Sequence, residues 1–204
     1  MKAVILCDGD IPKKTIIERE LFDGNLLIAA DGGANRAIEL GIQPDVIIGD
    51  LDSYNVSGNE EALVIKDEDQ ETNDLEKALS HVLRKSVSEV TVFGATGKRL
   101  DHTLKNLSVL LQYDSHFKSI ELIDNYTTIK IIQSPFRETF KIGTMISLFP
   151  LSGKVEGITT RGLKYPLKDE ALENGIRDGS SNEAVEETVE IKFKKGDLLL
   201  LTHH

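Results

Sequence analysis

Four aspartates carry the most chemistry in this chain of 204 residues. Asp31 closes the apolar run Leu-Leu-Ile-Ala-Ala, and Asp50 and Asp52 follow Val-Ile-Ile as Gly49-Asp50-Leu51-Asp52-Ser53. Asp74 ends Gln70-Glu71-Thr72-Asn73-Asp74, at the start of a helix-period stretch. Open parallel sheets bind ligands outside the carboxyl ends of their strands, so three strand–loop junctions send carboxylates toward one crevice. Hard oxygen ligands gathered this way suit Mg²⁺, which keeps several waters and binds through one or two carboxylates plus substrate phosphates. Between Asp50 and Asp52 a turn lets both carboxylates aim at one cation while Leu51 points back to the core. Taken singly, each aspartate reads first as a turn former or helix cap. The set of four does not.

A second feature is Phe93-Gly94-Ala95-Thr96-Gly97-Lys98-Arg99-Leu100-Asp101-His102. A strand that runs through a glycine-containing loop into a helix points free N–H groups and a helix dipole at an anion. Lys98 and Arg99 add cationic donors suited to phosphate. The glycine spacing matches neither a Walker A loop nor a dinucleotide fingerprint. Asp101 is placed to orient a neighbour or accept hydrogen bonds from a ligand. His102 reads as a general base, a phosphate donor or a structural residue. Within the acidic run 67–71 only Gln70 is a candidate ligand contact. Further on, Arg161-Gly162-Leu163-Lys164-Tyr165-Pro166-Leu167 sets an aromatic ring beside a turn, and Ser180-Ser181-Asn182-Glu183 offers hydroxyl and amide groups. By residue type alone both segments are ordinary turns.

The elements that must position these residues change character along the chain. Apolar runs at 3–7, 26–30, 46–48, 63–65, 90–93 and 120–123 alternate with helical candidates at 12–22, 34–40, 75–84 and 100–112. Asn73 with Glu76 three residues on forms a capping-box start for the third helix. Val- and Ile-rich strands separated by helices predict parallel βαβ units with both sheet faces covered. Strand-like runs then follow one another at 128–133, 139–142, 145–150, 155–159, 188–193 and 197–201, punctuated by glycines at turn positions. The expected fold is an α/β N-terminal domain (1–125) with a mostly parallel, Rossmann-like sheet, then an all-β sandwich C-terminal domain (126–204). The polar span 168–187 is expected to be a long loop. The terminal His203 and His204 are tag-like and stay outside the site argument.

Composition narrows the class. With 40% hydrophobic and 28% charged residues the chain reads as globular. A single cysteine, Cys7, leaves no intramolecular disulfide and no cysteine-based zinc site. No apolar run approaches the roughly 18 residues of a membrane span, and the N-terminal run is too short for a signal peptide. A cytoplasmic location without membrane contact is therefore expected. The net charge of −10, with no Lys/Arg cluster, argues against a nucleic-acid partner.

These segments, taken in order, resemble the thiamine pyrophosphokinase family. The matching pieces are Ala30-Asp31-Gly32-Gly33-Ala34-Asn35, Gly49 to Ser53, Thr72-Asn73-Asp74, Gly94 to His102, Gly162 to Leu167 and Ser181-Asn182-Glu183, and they span nearly the whole chain. The resemblance implies a nucleotide-binding α/β domain, a thiamine-binding and dimerising β-sandwich, and a homodimer with active sites at the subunit interface. It implies transfer of the terminal diphosphate of ATP to the hydroxyethyl group of thiamine, releasing AMP. By the same resemblance Asp50, Asp52 and Asp74 are the Mg²⁺ ligands, with Asp31 beside the reacting groups. Gly32, Gly33, Asn35, Gln70, Thr72, Asn73, Gly94, Thr96, Gly97, Arg99, Asp101 and His102 fall to ATP, and Tyr165, Ser181 and Asn182 to thiamine. Two positions depart from the family: many members carry glycine at Lys98, and some carry tryptophan at Tyr165. Tyrosine still stacks on a cationic ring, so altered affinity is expected there. Competing readings are diphosphate transfer to another alcohol such as a hydroxymethylpterin, a nucleotide-sugar transferase, and a non-catalytic nucleotide- or thiamine-binding module.

Overall fold

The computed structural model describes residues 1–21, 24–52, 54 and 61–204. Phe22, at the end of the expected first helix, and Ser53 lie outside the described residues. The chain divides into two compact units, residues 1–125 and 126–204.

The first unit runs β1 (Lys2–Leu6), α1 (Lys14–Glu18), β2 (Leu26–Ala30), α2 (Gly33–Glu39), β3 (Val46–Gly49), β4 (Leu63–Lys66), α3 (Asp74–Leu83), β5 (Glu89–Phe93), α4 (Leu100–Tyr113) and β6 (Ser119–Ile123). The strands lie in the order β6-β5-β1-β2-β3-β4, and their pairings are all parallel. Ala3, Val4, Ile5 and Leu6 of β1 are fully buried, as a central strand with both faces covered requires. The order reverses at β1, which pairs with β2 on one side and β5 on the other, so a topological switch point opens there. Its extra strand on the β2 side departs from the dinucleotide-binding order 3-2-1-4-5-6. "Rossmann-like" therefore holds for the switch point and not for the full topology.

The second unit is a sandwich of β7 (Thr127–Ile132), β8 (Phe136–Thr139), β9 (Met145–Pro150), β10 (Lys154–Arg161), β11 (Lys168–Glu173), β12 (Gly179–Glu183), β13 (Thr188–Lys192) and β14 (Leu198–His203). One antiparallel layer is β12-β9-β14-β7, the other β11-β10-β13-β8. Alternate residues turn inward, Ile146, Leu148, Leu198 and Leu200 from one layer and Val189 and Ile191 from the other, joined by Val155 and Ile158 on either side of a register shift in β10. The span expected as a loop, 168–187, instead holds β11 and β12. Each is the outermost strand of its layer, so only Leu172 of β11 and Asn182 of β12 are buried. Edge strands are kept polar to block further pairing, and this hides their alternation in the sequence. The strand expected at 139–142 lies earlier, at Phe136–Thr139, because a turn begins at Lys141, whose carbonyl accepts from the Thr144 amide. The first helix is also shorter than expected.

Candidate active site

At the carboxyl edge of the parallel sheet the four aspartates arrive from three junctions. Asp31 follows β2 with φ 43°, a left-handed conformation that a non-glycine residue adopts at a cost. Its N–H donates to the Ile48 carbonyl (2.8 Å) and its own carbonyl accepts from Ala34 (2.9 Å), tying the strained residue to β3 and α2. Gly49 makes room for it, since a Cβ there would stand 2.7 Å from the Asp31 Cβ. Leu51 also has positive φ, 64°, and packs on the cluster of Ala29, Ala34, Ile47 and Tyr54. That reversal folds the turn back so that the Asp52 N–H donates to Asp50 Oδ1 (3.3 Å). Two bulky or acidic residues held left-handed within one crevice are strain of the kind that gathers at functional sites.

Carboxylate oxygens of Asp31, Asp50 and Asp52 lie within 4.8 Å of one another. Three hard donors so close fit a divalent cation such as Mg²⁺. Asp74, expected with Asp50 and Asp52 as a Mg²⁺ ligand, stands outside this group of three, in which Asp31 lies instead, but it shares the group's field. Burial first, then the Asp31 charge, with smaller contributions from Asp50 and Asp52, pushes its carboxyl up to about 6, against the pull of Lys77. Asp50 moves the other way: the Asp52 N–H and the Gln70 amide hold its carboxyl below the ordinary value. Gln70 reaches Asp50 Oδ2 at 3.4 Å.

A cleft of about 210 Å³ opens beside the aspartates. Asp31, Gly32, Asn73 and Asp74 line one side, and Gly94, Ala95, Gly97, Lys98, Arg99 and His102 the other. The glycine loop is laced to the end of β1, where Gly9 and Asp10 donate to the carbonyls of Gly94 and Thr96, both at 2.8 Å. The Thr96 hydroxyl is turned to Asp124 Oδ2 (3.2 Å), and Thr96 does not line the cleft. Arg99 and Asp101 pair with each other, which holds the arginine charged and keeps the carboxylate acidic. Gly33 serves packing: a Cβ there would sit 2.0 Å from the Leu6 carbonyl oxygen, so only glycine lets α2 lie against β1. Asn35 follows it on α2 and donates its N–H to the Gly32 carbonyl (3.1 Å), and Thr72 donates its hydroxyl to Asp69 (2.8 Å).

Asn73 is the N-cap of α3, accepting from the Glu76 N–H (2.9 Å) within a complete capping box. Its amide also donates to Asn106 Oδ1 (2.9 Å), and Asn106 donates to the Ala95 carbonyl (2.7 Å). Asn106, buried in mid-helix, thereby connects the Asp74 side of the cleft to the glycine loop. Sequence reasoning missed it, although its spacing to Val109, Leu110 and Tyr113 puts it on the buried face of α4. Asp8 was missed too. It follows β1 as Asp31 follows β2, lines the cleft, and takes Lys98 (2.9 Å) and Arg36 (3.1 Å) on one oxygen.

In the second unit Tyr165 is 63% exposed, with the Lys164 ammonium 6.0 Å from its ring centroid. Ser181 is exposed and left-handed, φ 59°, at a register shift in β12, and its N–H donates to Ser147 Oγ (3.1 Å). Asn182 is buried and hydrogen-bonded to the Tyr165 backbone.

Carboxylates and a glycine loop at the switch point of a parallel α/β sheet place a ligand crevice where open α/β enzymes have one, in a chain that also carries a β-sandwich. The family model described as "Thiamin pyrophosphokinase, catalytic domain" matches residues 17–123, and "Thiamin pyrophosphokinase, vitamin B1 binding domain" matches residues 128–198. Thiamine pyrophosphokinase 1 of Oryza sativa subsp. japonica is 30% identical over 93% of this chain and 82% of its own length. Thiamine pyrophosphokinase of Bacillus subtilis (strain 168) is 29% identical over 98% of both chains. A Bacillus subtilis crystal structure of that name superposes with TM-score 0.88 at 25% identity, covering 100% of this chain and 99% of its own. Thiamin pyrophosphokinase from Candida albicans shares the fold with TM-score 0.86 at 18% identity, over 99% of this chain and 88% of its own. The chain belongs to the thiamine pyrophosphokinase family.

Proposed function

We propose that this chain is a thiamine diphosphokinase, moving the terminal diphosphate of ATP to the hydroxyethyl group of thiamine and giving thiamine diphosphate and AMP. The observation that carries the reading is the convergence of Asp31, Asp50 and Asp52 beside a glycine-loop cleft, in a chain whose two halves match the two family domains. In this reading Asp31, Asp50 and Asp52 would hold Mg²⁺, with Asp74 standing outside that set, and the ion would neutralise phosphate charge in the transfer. The glycine loop, Lys98 and Arg99 hold the phosphates. The thiamine oxygen attacks the β-phosphorus, the bond from that phosphorus to the bridging oxygen of the α-phosphate breaks, and AMP leaves with the bridging oxygen. The hydroxyl proton passes to Asp74, which lines the cleft and lies outside the three metal-holding carboxylates.

Such transfers ask the protein for positioning and charge neutralisation more than covalent chemistry, which suits a site built of fixed carboxylates and N–H groups. Tyr165 and Ser181 are assigned to thiamine directly, and Asn182, expected beside them, through its hydrogen bonds to the Tyr165 backbone. A cytoplasmic homodimer with its sites at the subunit interface accompanies this reading. The exposed Leu100 and Leu104 on the first turns of α4 support a partner surface beside the cleft. No helix among the described residues is long and apolar enough to cross a membrane.

One incubation with ATP, Mg²⁺ and thiamine tests the activity. Thiamine-dependent AMP formed one-for-one with thiamine diphosphate is the expected result. ADP with thiamine monophosphate would change the reaction, and no nucleotide consumption by folded protein would remove it. Sedimentation velocity tests the dimer.

A further inference from the structure

Asn182 offers an unusual set of bonds for a residue in an edge strand. It is 7% exposed, its Oδ1 accepts from the N–H groups of Tyr165 (3.0 Å) and Glu183 (2.9 Å), and its Nδ2 donates to the Tyr165 carbonyl (2.8 Å). A side-chain amide that both accepts from and donates to the backbone of one residue reproduces the two bonds a neighbouring strand would make. The chain needs that substitute here. Backbone pairing between this segment and β12 runs through Leu163 with Ala184 and through the Lys164 N–H to the Glu183 carbonyl (2.9 Å). At Tyr165 the side chain of Asn182 takes over. The register shift between Gly179 and Asn182 re-aims the strand so that Asn182 turns inward. Pro166 limits Tyr165 to extended backbone from the other side. The outcome is an anchored backbone at a residue that is 63% exposed.

We infer that Asn182 is a positioning residue, which governs thiamine binding by clamping the backbone of Tyr165 and does not itself touch thiamine. The inference rests on the reading that thiamine lies against the Tyr165 ring. An exposed aromatic platform gives most when its orientation is fixed before binding, because the ordering cost is then already met. The side-chain amide of Asn182 has three of its bonding positions taken by backbone, which leaves it poorly placed to recognise a ligand as well.

The test has one arm without substrate and one with it. In ligand-free protein the Tyr165 amide exchanges slowly with solvent, and Asn182→Ala speeds that exchange at least ~10-fold while Ile158 and Val189, in the sandwich core and in the other layer, keep their protection. Unchanged exchange at Tyr165 overturns the clamp. In steady-state assays Asn182→Ala raises KM for thiamine about tenfold and leaves KM for ATP in place, the scale of losing one contact of about 1.4 kcal/mol. In a Tyr165→Ala background the same substitution adds less than about twofold, since coupled residues are not additive. A full effect in that background would mean that Asn182 contacts thiamine directly and would overturn the inference. Should Tyr165→Ala itself leave KM for thiamine unchanged, the link to thiamine fails at Tyr165 while diphosphate transfer at the aspartates stands. Asn182→Ser serves the same comparisons if the alanine variant does not fold.

Discussion

Lys77 Nζ lies 3.8 Å from Asp74 Oδ1, and the lysine is buried while the aspartate side chain is 41% exposed. The two are three residues apart on α3, so the helix turns the carboxylate to the cleft and the ammonium beneath it. Lys77 also donates to the Asp67 carbonyl (2.9 Å), and its charge lowers the carboxyls of Asp50 and Asp74. A fixed internal cation below an acidic cluster offsets like-charge repulsion when no metal is bound. Lys77→Met removes that offset and leaves the Asp67 carbonyl without its donor, at a cost of about 1–3 kcal/mol to the metal-free protein. Urea unfolding with and without Mg²⁺ checks it: the deficit should shrink as Mg²⁺ is added. An equal deficit at all Mg²⁺ concentrations would make Lys77 a packing residue only.

Asp74 gives the site a pH signature. Its carboxyl stands near 6, raised by burial and then by the Asp31 charge, against about 3.9 in an unfolded chain. The native state therefore holds the proton more tightly than the unfolded chain does. That contribution to stability is fully present below about pH 4 and is lost as pH rises through about 6. In metal-free protein, the difference in urea midpoint between wild type and Asp74→Asn should change sign-consistently across that window: wild type loses stability relative to the variant as pH rises. A difference that is flat in pH would place the Asp74 carboxyl at its ordinary value.

Asp50 and Asp52 sit on the outer turn of the site, on a backbone already shaped by the left-handed Leu51. Replacing either carboxylate by an amide keeps volume and turn while removing one charge. Asp50→Asn and Asp52→Asn should each lower kcat at least ~10²-fold, the scale of losing one electrostatic group, with thermal unfolding close to wild type. Turnover at the wild-type level in either variant would take that residue out of the metal-holding set.

Much of this site was legible because strand ends are. The apolar runs before Asp31 and Asp50 fixed both the strands and the carboxylates that follow them, and the capping box announced α3. Asp8 obeys the same rule after β1, yet it sits in an unremarkable Cys-Asp-Gly-Asp stretch with no second motif beside it. Asn106 and Lys77 were hidden for a different reason. A polar residue on a helix's buried face reads as a break in the apolar stripe, and its value depends on partners the pattern does not show, thirty-three residues away for Asn106 with Asn73 and in the loop before the helix for Lys77 with the Asp67 carbonyl. In the sandwich, the polar edge strands β11 and β12 concealed their own pairing, and with it the contact of Asn182 with Tyr165.

Asn106 makes a prediction about coupling within the first unit. It holds the α3 cap through Asn73 and the glycine loop through the Ala95 carbonyl. Asn106→Leu preserves the helix and removes both bonds, leaving the buried Ala95 carbonyl without this donor at a cost of about 1–3 kcal/mol. KM for ATP should rise as well, since the loop and the Asp74 helix lose their common anchor. Hydrogen exchange at Gly94 to Gly97 should accelerate in the variant. Stability lost with no change in that exchange would confine Asn106 to helix packing.

Ser181 separates backbone strain from hydroxyl chemistry. With φ 59° it occupies a region that costs a non-glycine residue, roughly 1–2 kcal/mol where nothing compensates. Ser181→Ala keeps that strain and removes the hydroxyl, whereas Ser181→Gly removes both. If the hydroxyl makes one neutral hydrogen bond to thiamine, each variant should weaken thiamine binding by about 0.5–1.5 kcal/mol. The glycine variant should also melt higher than the alanine variant, because only glycine occupies this conformation without penalty. Calorimetric titration with thiamine and a melting curve on each variant decide the matter. Thiamine affinity unchanged in both would remove Ser181 from the binding surface, and equal melting temperatures would show that the bulge carries no strain at this residue.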